Sequence, residues 1–286
     1  MQPKTGRPFW PTLALACAMS ICVCSCGSQT AQKRPIQVSD STAVLEVDDP
    51  RPLMAAAEAI EEEYGIQINY EDPPFRFAGD ARDVTEQVSR SPGKGRVLVP
   101  RGGPVYLSFR VKRSGHGTYV PVDAEAVLKA LIQEHQDRGH PGRFRVIRSA
   151  HGFDVIPTQV ADSTGALVSI QPVLDETISF PEQERPLGET VKLIADLVSQ
   201  SSGVRVRTCG LLSLKQTPRA RLGATQMSAR EALRSALDLS GERLGWHLLY
   251  DHGPRGQQYC LNLRRVILRK VDLLTGSDKW VPVPEN

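Results

Sequence analysis

The phrases Arg51-Pro52-Leu53 and Arg185-Pro186-Leu187 start 134 residues apart (185 against 51) and open the same local order. The first follows the apolar run AVLEV at 43–47 and leads a helix expected from Pro52 to Glu63, with Leu53, Ala56, Ala57 and Ile60 on one face. Gly65 ends it, and Ile66, Ile68 and Tyr70 then alternate with Gln67 and Asn69 as in a strand with one buried face. The second phrase follows a strand at 177–180 and leads a helix with Leu187, Val191, Ile194, Leu197 and Val198 as its stripe; Gly203 and VRVRT complete the echo. Each half then adds a second helix. One is capped by Asp123 and carries Ala126, Val127, Leu128, Leu131 and Ile132. The other is opened by the Ser228–Glu231 capping box and carries Ala232, Leu233, Ala236 and Leu237. Hairpins close both halves, FRVIR and FDVIP about SAHG, and WHLLY and YCLNLRRV about DHGPRGQQ. Repetition at this period predicts an internal duplication. The expected fold is α+β: two related domains, each with two helices packed on a small mixed sheet.

The ends set the expected boundaries. Lys4 and Arg7 precede an uncharged apolar run from Phe9 to Cys24, followed by Gly, Ser, Gln and Thr. This is the three-part layout of a secretory signal. Sixteen residues fall short of the roughly 20 that a spanning helix needs. Val23-Cys24-Ser25-Cys26 has the form of a lipoprotein processing box, in which Cys26 becomes the lipid-bearing first residue. Ordinary cleavage after a small residue and a short anchor are the alternatives, and a Cys22, Cys24, Cys26 metal cluster lacks a second ligand pair. The expectation is a signal at 1–25, a tether at 26–42, a first domain at 43–160 with a loop insertion, and a linker at 161–173. A second domain follows at 174–267, with a last strand and tail at 268–286.

Charge excludes one class of partner. The chain has 35 Lys plus Arg and 32 Asp plus Glu; loss of Lys4 and Arg7 with the leader leaves 33 against 32. Nothing in that balance points to nucleic acid. Glu61-Glu62-Glu63 and Arg264-Arg265 read as solvated surface, although acids at a helix C-terminus oppose its dipole and call for strong solvation or a partner. Beyond the leader and Cys26, only Cys209 and Cys260 remain, which invites either a disulfide or two buried thiols.

No catalytic, cofactor or metal motif stands out. His116, His135, His140, His151, His247 and His252 form no H-E-x-x-H or Cys-His cluster, and no G-x-S-x-G elbow is present. The glycine turns at 93–95 and 101–103 lack Walker or dinucleotide spacing. A non-local triad stays open if His151 or His252 meets an acid and a nucleophile in a pocket. Trp246, Tyr250, Tyr259, Arg264 and Arg265 supply hot-spot residue types, so they mark either an interaction surface or a packed sheet face with a charged edge. A sheet edge in either half can accept a partner strand.

The stretch from RPLGETVKLIADLVSQSSGVRVR to YCLNLRRV resembles the short N-terminal domain of secretins and TonB-dependent receptors. The likeness rests on Pro-Leu opening the first helix, Gly203 before a strand, Met227-Ser228-Ala229-Arg230-Glu231-Ala232-Leu233 opening the second, and an aromatic hairpin. The first half shares Arg51-Pro52-Leu53, Gly65-Ile66 and Ala124 to Leu128. No large barrel or pore sequence follows. The resemblance implies a periplasmic interaction or assembly module. The expected function is therefore an exported, lipid-anchored, non-catalytic protein facing the periplasm, without cofactor, binding an envelope protein or itself. The alternatives are a small-ligand or cell-wall binding protein with a cleft between the halves, and an envelope hydrolase.

Overall fold

The computed structural model describes residues 36–88, 96–114, 118–210, 219–251, 257–271 and 278–283. The first described elements are β1 (Ile36–Ser39), β2 (Thr42–Asp49), α1 (Pro52–Tyr64) and β3 (Gln67–Glu71). An excursion follows with β4 (Ala81–Asp83), the short α2 (Thr85–Val88) and β5 (Leu98–Pro100). The half is completed by β6 (Gly103–Arg113), β7 (Tyr119–Pro121), α3 (Ala124–Asp137), β8 (Arg143–Arg148), β9 (Gly152–Ala161) and β10 (Leu167–Ser169). The second half contains β11 (Thr177–Pro186), α4 (Leu187–Ser202), β12 (Arg205–Gly210), β13 (Arg219–Ser228) and α5 (Ala229–Asp238). It continues through β14 (Leu244–Asp251), β15 (Gln258–Arg265), β16 (Ile267–Val271) and β17 (Asp278–Pro282).

The local signals act where the sequence places them. Pro52 occupies the first turn of α1, where its missing N–H costs nothing. Gly65 and Gly203 end α1 and α4 with φ of 67° and 68°, a left-handed conformation that glycine adopts without steric cost. Asp123 accepts a bond from the Ala126 N–H, and Ser228 accepts one from the Glu231 N–H.

The two halves repeat one pairing pattern. In the first, β2 lies antiparallel to β6, β3 parallel to β9, and β8 antiparallel to β9. In the second, β11 lies antiparallel to β13, β12 parallel to β15, and β14 antiparallel to β15. The register repeats as well. Each parallel strand starts two residues after its cap glycine. Gln67, Ile68, Asn69 and Tyr70 face Gly152, Phe153, Asp154 and Val155; Arg205, Val206, Arg207 and Thr208 face Gln258, Tyr259, Cys260 and Leu261.

The halves do not carry one sheet each, as expected. Strand β14 pairs in parallel with β3 (His247 opposite Tyr70, Leu248 opposite Glu71), so strands of both halves form a single seven-stranded sheet. Two hydrophobic clusters sit on it. One gathers α1 and α3 with Ile68, Tyr70, Phe144, Phe153 and Val155; the other gathers α4 and α5 with Trp246, Leu248, Tyr250, Tyr259, Leu261 and Leu263. Paired residues share a face and neighbours along a strand alternate, so the two helix pairs lie on opposite faces of the common sheet. α5 reaches over β3 and β9 through Arg230 and Arg234, and α1 reaches toward β14 and β15 through Glu58 and Glu61.

Three boundaries move. β1 lies inside the stretch expected as a tether and pairs with β2. β10 lies inside the expected linker and pairs with β9. The expected loop insertion contains the β4–β5 ladder. Among the described residues no helix is long and apolar enough to cross a membrane. Cys26 and the leader lie outside the described residues.

Candidate functional site

The joint between the halves is built from buried charge. Asn69, Glu71 and Asp154 point from β3 and β9 away from their own helices, toward α5. Arg230 of α5 enters this face and is itself 4% exposed. Its guanidinium donates to Glu71 Oε2 at 2.5 Å and to Asp175 Oδ1 at 2.8 Å, and lies 3.7 Å from Asp154 Oδ2. Arg234, one turn on, donates to Asp154. Burial alone would lower the Arg230 pKa; Glu71, Asp175 and Asp154 outweigh it and hold the pKa above the ordinary arginine value. Asn69 completes the cluster, donating to Asp154 Oδ1 at 2.9 Å and accepting the Trp246 N–H at 3.0 Å.

The opposite face is locked in the same manner. Glu61 is fully buried, accepts the Ile68 N–H at 2.9 Å and is held by Arg264 through both carboxylate oxygens. Arg264 also donates to Ile68 O at 2.9 Å. Glu63 pairs with Arg269. The acidic run and the first arginine of the basic run are therefore not solvated surface: Glu61 and Arg264 are partners. This also answers the unfavourable acids at the end of α1. His247 Nδ1 lies 3.3 Å from Glu58 Oε1, while burial, aided by Arg264, holds the imidazole well below its usual pKa.

At the rim, Arg51 donates to Asp72 Oδ2 at 2.7 Å and to Tyr250 O at 2.8 Å, and Asp72 also accepts the Tyr250 N–H at 2.9 Å. Side chains supply much of this joint, since only two residue pairs of β3 and β14 are in ladder register.

The aromatic residues of the last hairpin form no exposed surface. Trp246 is 0% exposed, and Tyr250 and Tyr259 are 1% exposed, packed ring to ring 5.2 Å apart. The packed-face reading holds for them because they alternate inward on β14 and β15 beneath α4 and α5. Arg265 remains near the surface and forms a fork to Glu242, at 2.7 and 2.9 Å. Cys209 and Cys260 form a disulfide between β12 and β15.

A polar cleft opens at one end of the joint, with a volume of about 410 Å³. The β8–β9 turn gives Ala150 and His151; Gln67 forms part of the lining; the end of α5 gives Asp238, the segment after it Glu242 and Arg243, and the start of β14 Leu244. His151 Nε2 lies 3.4 Å from Asp238 Oδ1, and Arg243 donates to His151 O at 3.1 Å. Gln67 donates to Leu244 O at 2.8 Å. An imidazole beside a carboxylate can hold or pass a proton, but these lining residues include no hydroxyl or thiol nucleophile. His135 and His140 lie ring to ring at 5.2 Å, and His140 Nε2 is 3.2 Å from Pro104 O. His116, His252 and the turn at 93–95 lie outside the described residues. Among the described residues no group of three or more His, Cys, Asp or Glu is placed to hold a metal ion.

Sequence reasoning missed Arg51, Glu71, Asp72, Asp154, Arg230 and Arg234 as a set. Asn69, Glu71 and Asp154 occupy the polar phase of alternating strands, which reads as a solvated face, so nothing local in the sequence signals that this face is buried as well. Comparison with protein-family models, with curated proteins and with solved structures gives no match.

Proposed function

We propose that this chain is an exported envelope protein, tethered by lipid at Cys26, whose two related α+β units act as a non-catalytic protein-interaction or assembly module. Each unit resembles the short N-terminal domain of secretins and TonB-dependent receptors. The observation that carries the reading is the repeated pairing and register of β3–β9 and β12–β15, together with the edge-to-edge meeting of β3 and β14. A module already mated with a relative through a strand edge is suited to mating with further protein by the same means. The leader layout supports export. The test compares wild type with Cys26→Ser by membrane fractionation, followed by capture of crosslinked partners after detergent extraction. Wild type should sediment with membranes and be released by detergent, while Cys26→Ser should be soluble. A wild-type chain soluble without detergent rejects the anchor; the lack of any specific crosslinked partner, self included, rejects the interaction module.

A second reading rests on the cleft beside His151. A small polar ligand, such as a cell-wall fragment, could bind between Arg243 and the His151–Asp238 pair. Calorimetric titration with soluble cell-wall fragments, repeated on Arg243→Ala, would favour this reading if wild type alone binds.

A further inference from the structure

We infer that a second copy of this chain docks head to tail, with the β8 end of one copy meeting the β12 end of the next. The inference rests on the interaction-module reading and specifies its partner.

The internal joint provides the template. It consumes the β3 edge of the first half and the β14 edge of the second. Because the pairing pattern repeats, β12 is the counterpart of β3, and β8 the counterpart of β14. Among the described residues, β12 pairs only with β15, and β8 only with β9. One edge of each type is therefore left, at opposite ends of the sheet.

Charges at the matching positions are complementary. Inside the molecule His247 of β14 approaches Glu58, seven residues before the cap Gly65. The residue of β8 in the His247 position is Arg145: it faces Ile156, as His247 faces Asn262. The residue seven before Gly203 is Asp196. Arg145 and Asp196 are both exposed, and neither has an ion pair among the described residues. A joint of the internal kind brings them together.

The other contact changes sign on both sides. Arg230 stands two residues after its N-cap Ser228 and enters the Asn69–Glu71–Asp154 face. Two residues after the N-cap Asp123 stands Glu125. The face it would meet carries Arg207 in the Asn69 position, with Cys209 and Cys260 beside it. A base meeting acids inside the chain thus becomes an acid meeting a base between chains.

The contact between copies should be the weaker of the two. A register shift between Thr208 and Gly210 breaks the match with β3 beyond this point, and Arg207 cannot accept as Asn69 does. Glu125 is also already paired with Lys129 and Arg148 in its own chain, which weakens its pull on Arg207. Reversible association follows, through a heterologous contact that closes into a ring or extends as a filament.

Sedimentation of the purified full chain in mild detergent tests this. The average mass should rise with concentration. Asp196→Arg and Arg145→Asp should each weaken association about tenfold, because each sets like charges opposite one another. An equimolar mixture of the two variants should restore it, since both joints in the mixture are then of opposite sign. Glu125→Lys and Arg207→Glu form a second such pair. Circular dichroism should show all variants folded, as these side chains lie at the surface. A wild-type chain at monomer mass throughout, variants that associate like wild type, or a mixture that restores nothing would each overturn the inference. A monomer that still crosslinks to a foreign envelope protein would sink the inference while leaving the interaction reading standing.

Discussion

Six residues after Gly65 the first half has Glu71; six residues after Gly203 the second half has Cys209. Opposite Asn69 stands Asp154; opposite Arg207 stands Cys260. One pair of sheet positions thus holds two buried carboxylates in the first half and a disulfide in the second. Backbone N–H groups and Asn69 satisfy part of each carboxylate, and Arg230 and Arg234 from the other half supply the countercharge. The disulfide needs no neighbour. The shared arginine of the two RPL phrases diverges in the same way: Arg51 reaches across the joint to Tyr250 O, whereas Arg185 turns back to Pro181 O and Gln183 Oε1. A repeated backbone therefore does not dictate a repeated role. Side chains make one copy of this face an internal joint held by charge and tie the other together covalently within its own half.

The sharpest way to break the contrast is to remove the arginine on each face. Arg230→Met should cost about 3–5 kcal/mol, because it strands the buried Glu71 without its arginine and leaves Asp154 to Arg234 alone. Arg207→Met should stay within about 0.5 kcal/mol, since no buried group depends on it. Urea unfolding monitored by Trp fluorescence measures both. Adding Glu71→Gln and Asp154→Asn to Arg230→Met should recover much of the loss. If Arg230→Met costs no more than Arg207→Met, the joint is held by packing alone.

The second half should in turn depend on its covalent tie. Cys209→Ser with Cys260→Ser should cost about 2–4 kcal/mol, the range for a closed loop of this size. Hydrogen exchange should then rise first in β12, an edge strand, and little in β3, which is paired on both sides. Equal exchange in both would show that the disulfide acts on the unfolded chain alone.

The elements were readable because each is written locally. Stripes, cap residues and cap glycines gave all four long helices, and the alternation of Ile66, Ile68 and Tyr70 gave a strand. Composition narrowed Cys209 and Cys260 to a disulfide or two buried thiols, and the structure shows the disulfide. The joint was not readable for a physical reason. Glu61 and Arg264 lie 203 residues apart, and Glu71 and Arg230 lie 159 apart, so no local pattern links them. Edge-to-edge pairing of the halves likewise leaves no mark in either strand. Burial of Trp246 and Tyr250 was half-visible: their alternate spacing on β14 favours a packed face, while residue type alone suggested a surface.

Acid should expose a further difference. His135 stands twelve residues after its N-cap, where the second half has Ser240. Burial, with His140 and Arg143 adding to it, lowers the His135 pKa to about 3 from 6.5. A group with a depressed folded pKa contributes stability above its unfolded value, and that stability is lost as pH falls toward the folded value. His135 should thus cost the fold about 2 kcal/mol between pH 6.5 and pH 5. Glu58, Glu61 and Glu71, whose carboxyls burial pushes upward, act with the opposite sign. The difference between wild type and His135→Gln therefore isolates the histidine. Parallel pH profiles for the two proteins would remove it as the source of acid lability.

The smallest effect concerns the one feature that the halves share almost without change. Gly65 and Gly203 end their helices in the same left-handed conformation. Alanine at either position should cost roughly 1 kcal/mol, because a side chain strains that backbone. The surroundings then separate them. A Cβ at Gly203 would meet nothing within 4 Å, but one at Gly65 would lie 3.2 Å from Val283 Cγ2 and 3.5 Å from Leu268 Cδ1. Those contacts come from β16 and from the residue just after β17, and this ribbon has no counterpart in the first half. Gly65→Ala should therefore exceed Gly203→Ala by a few tenths of a kcal/mol, the size of a tight contact that flexible side chains partly relieve. Thermal melts of the two variants decide it: equal losses would mean that the ribbon yields freely, and a larger loss at Gly203 would contradict the packing around both caps.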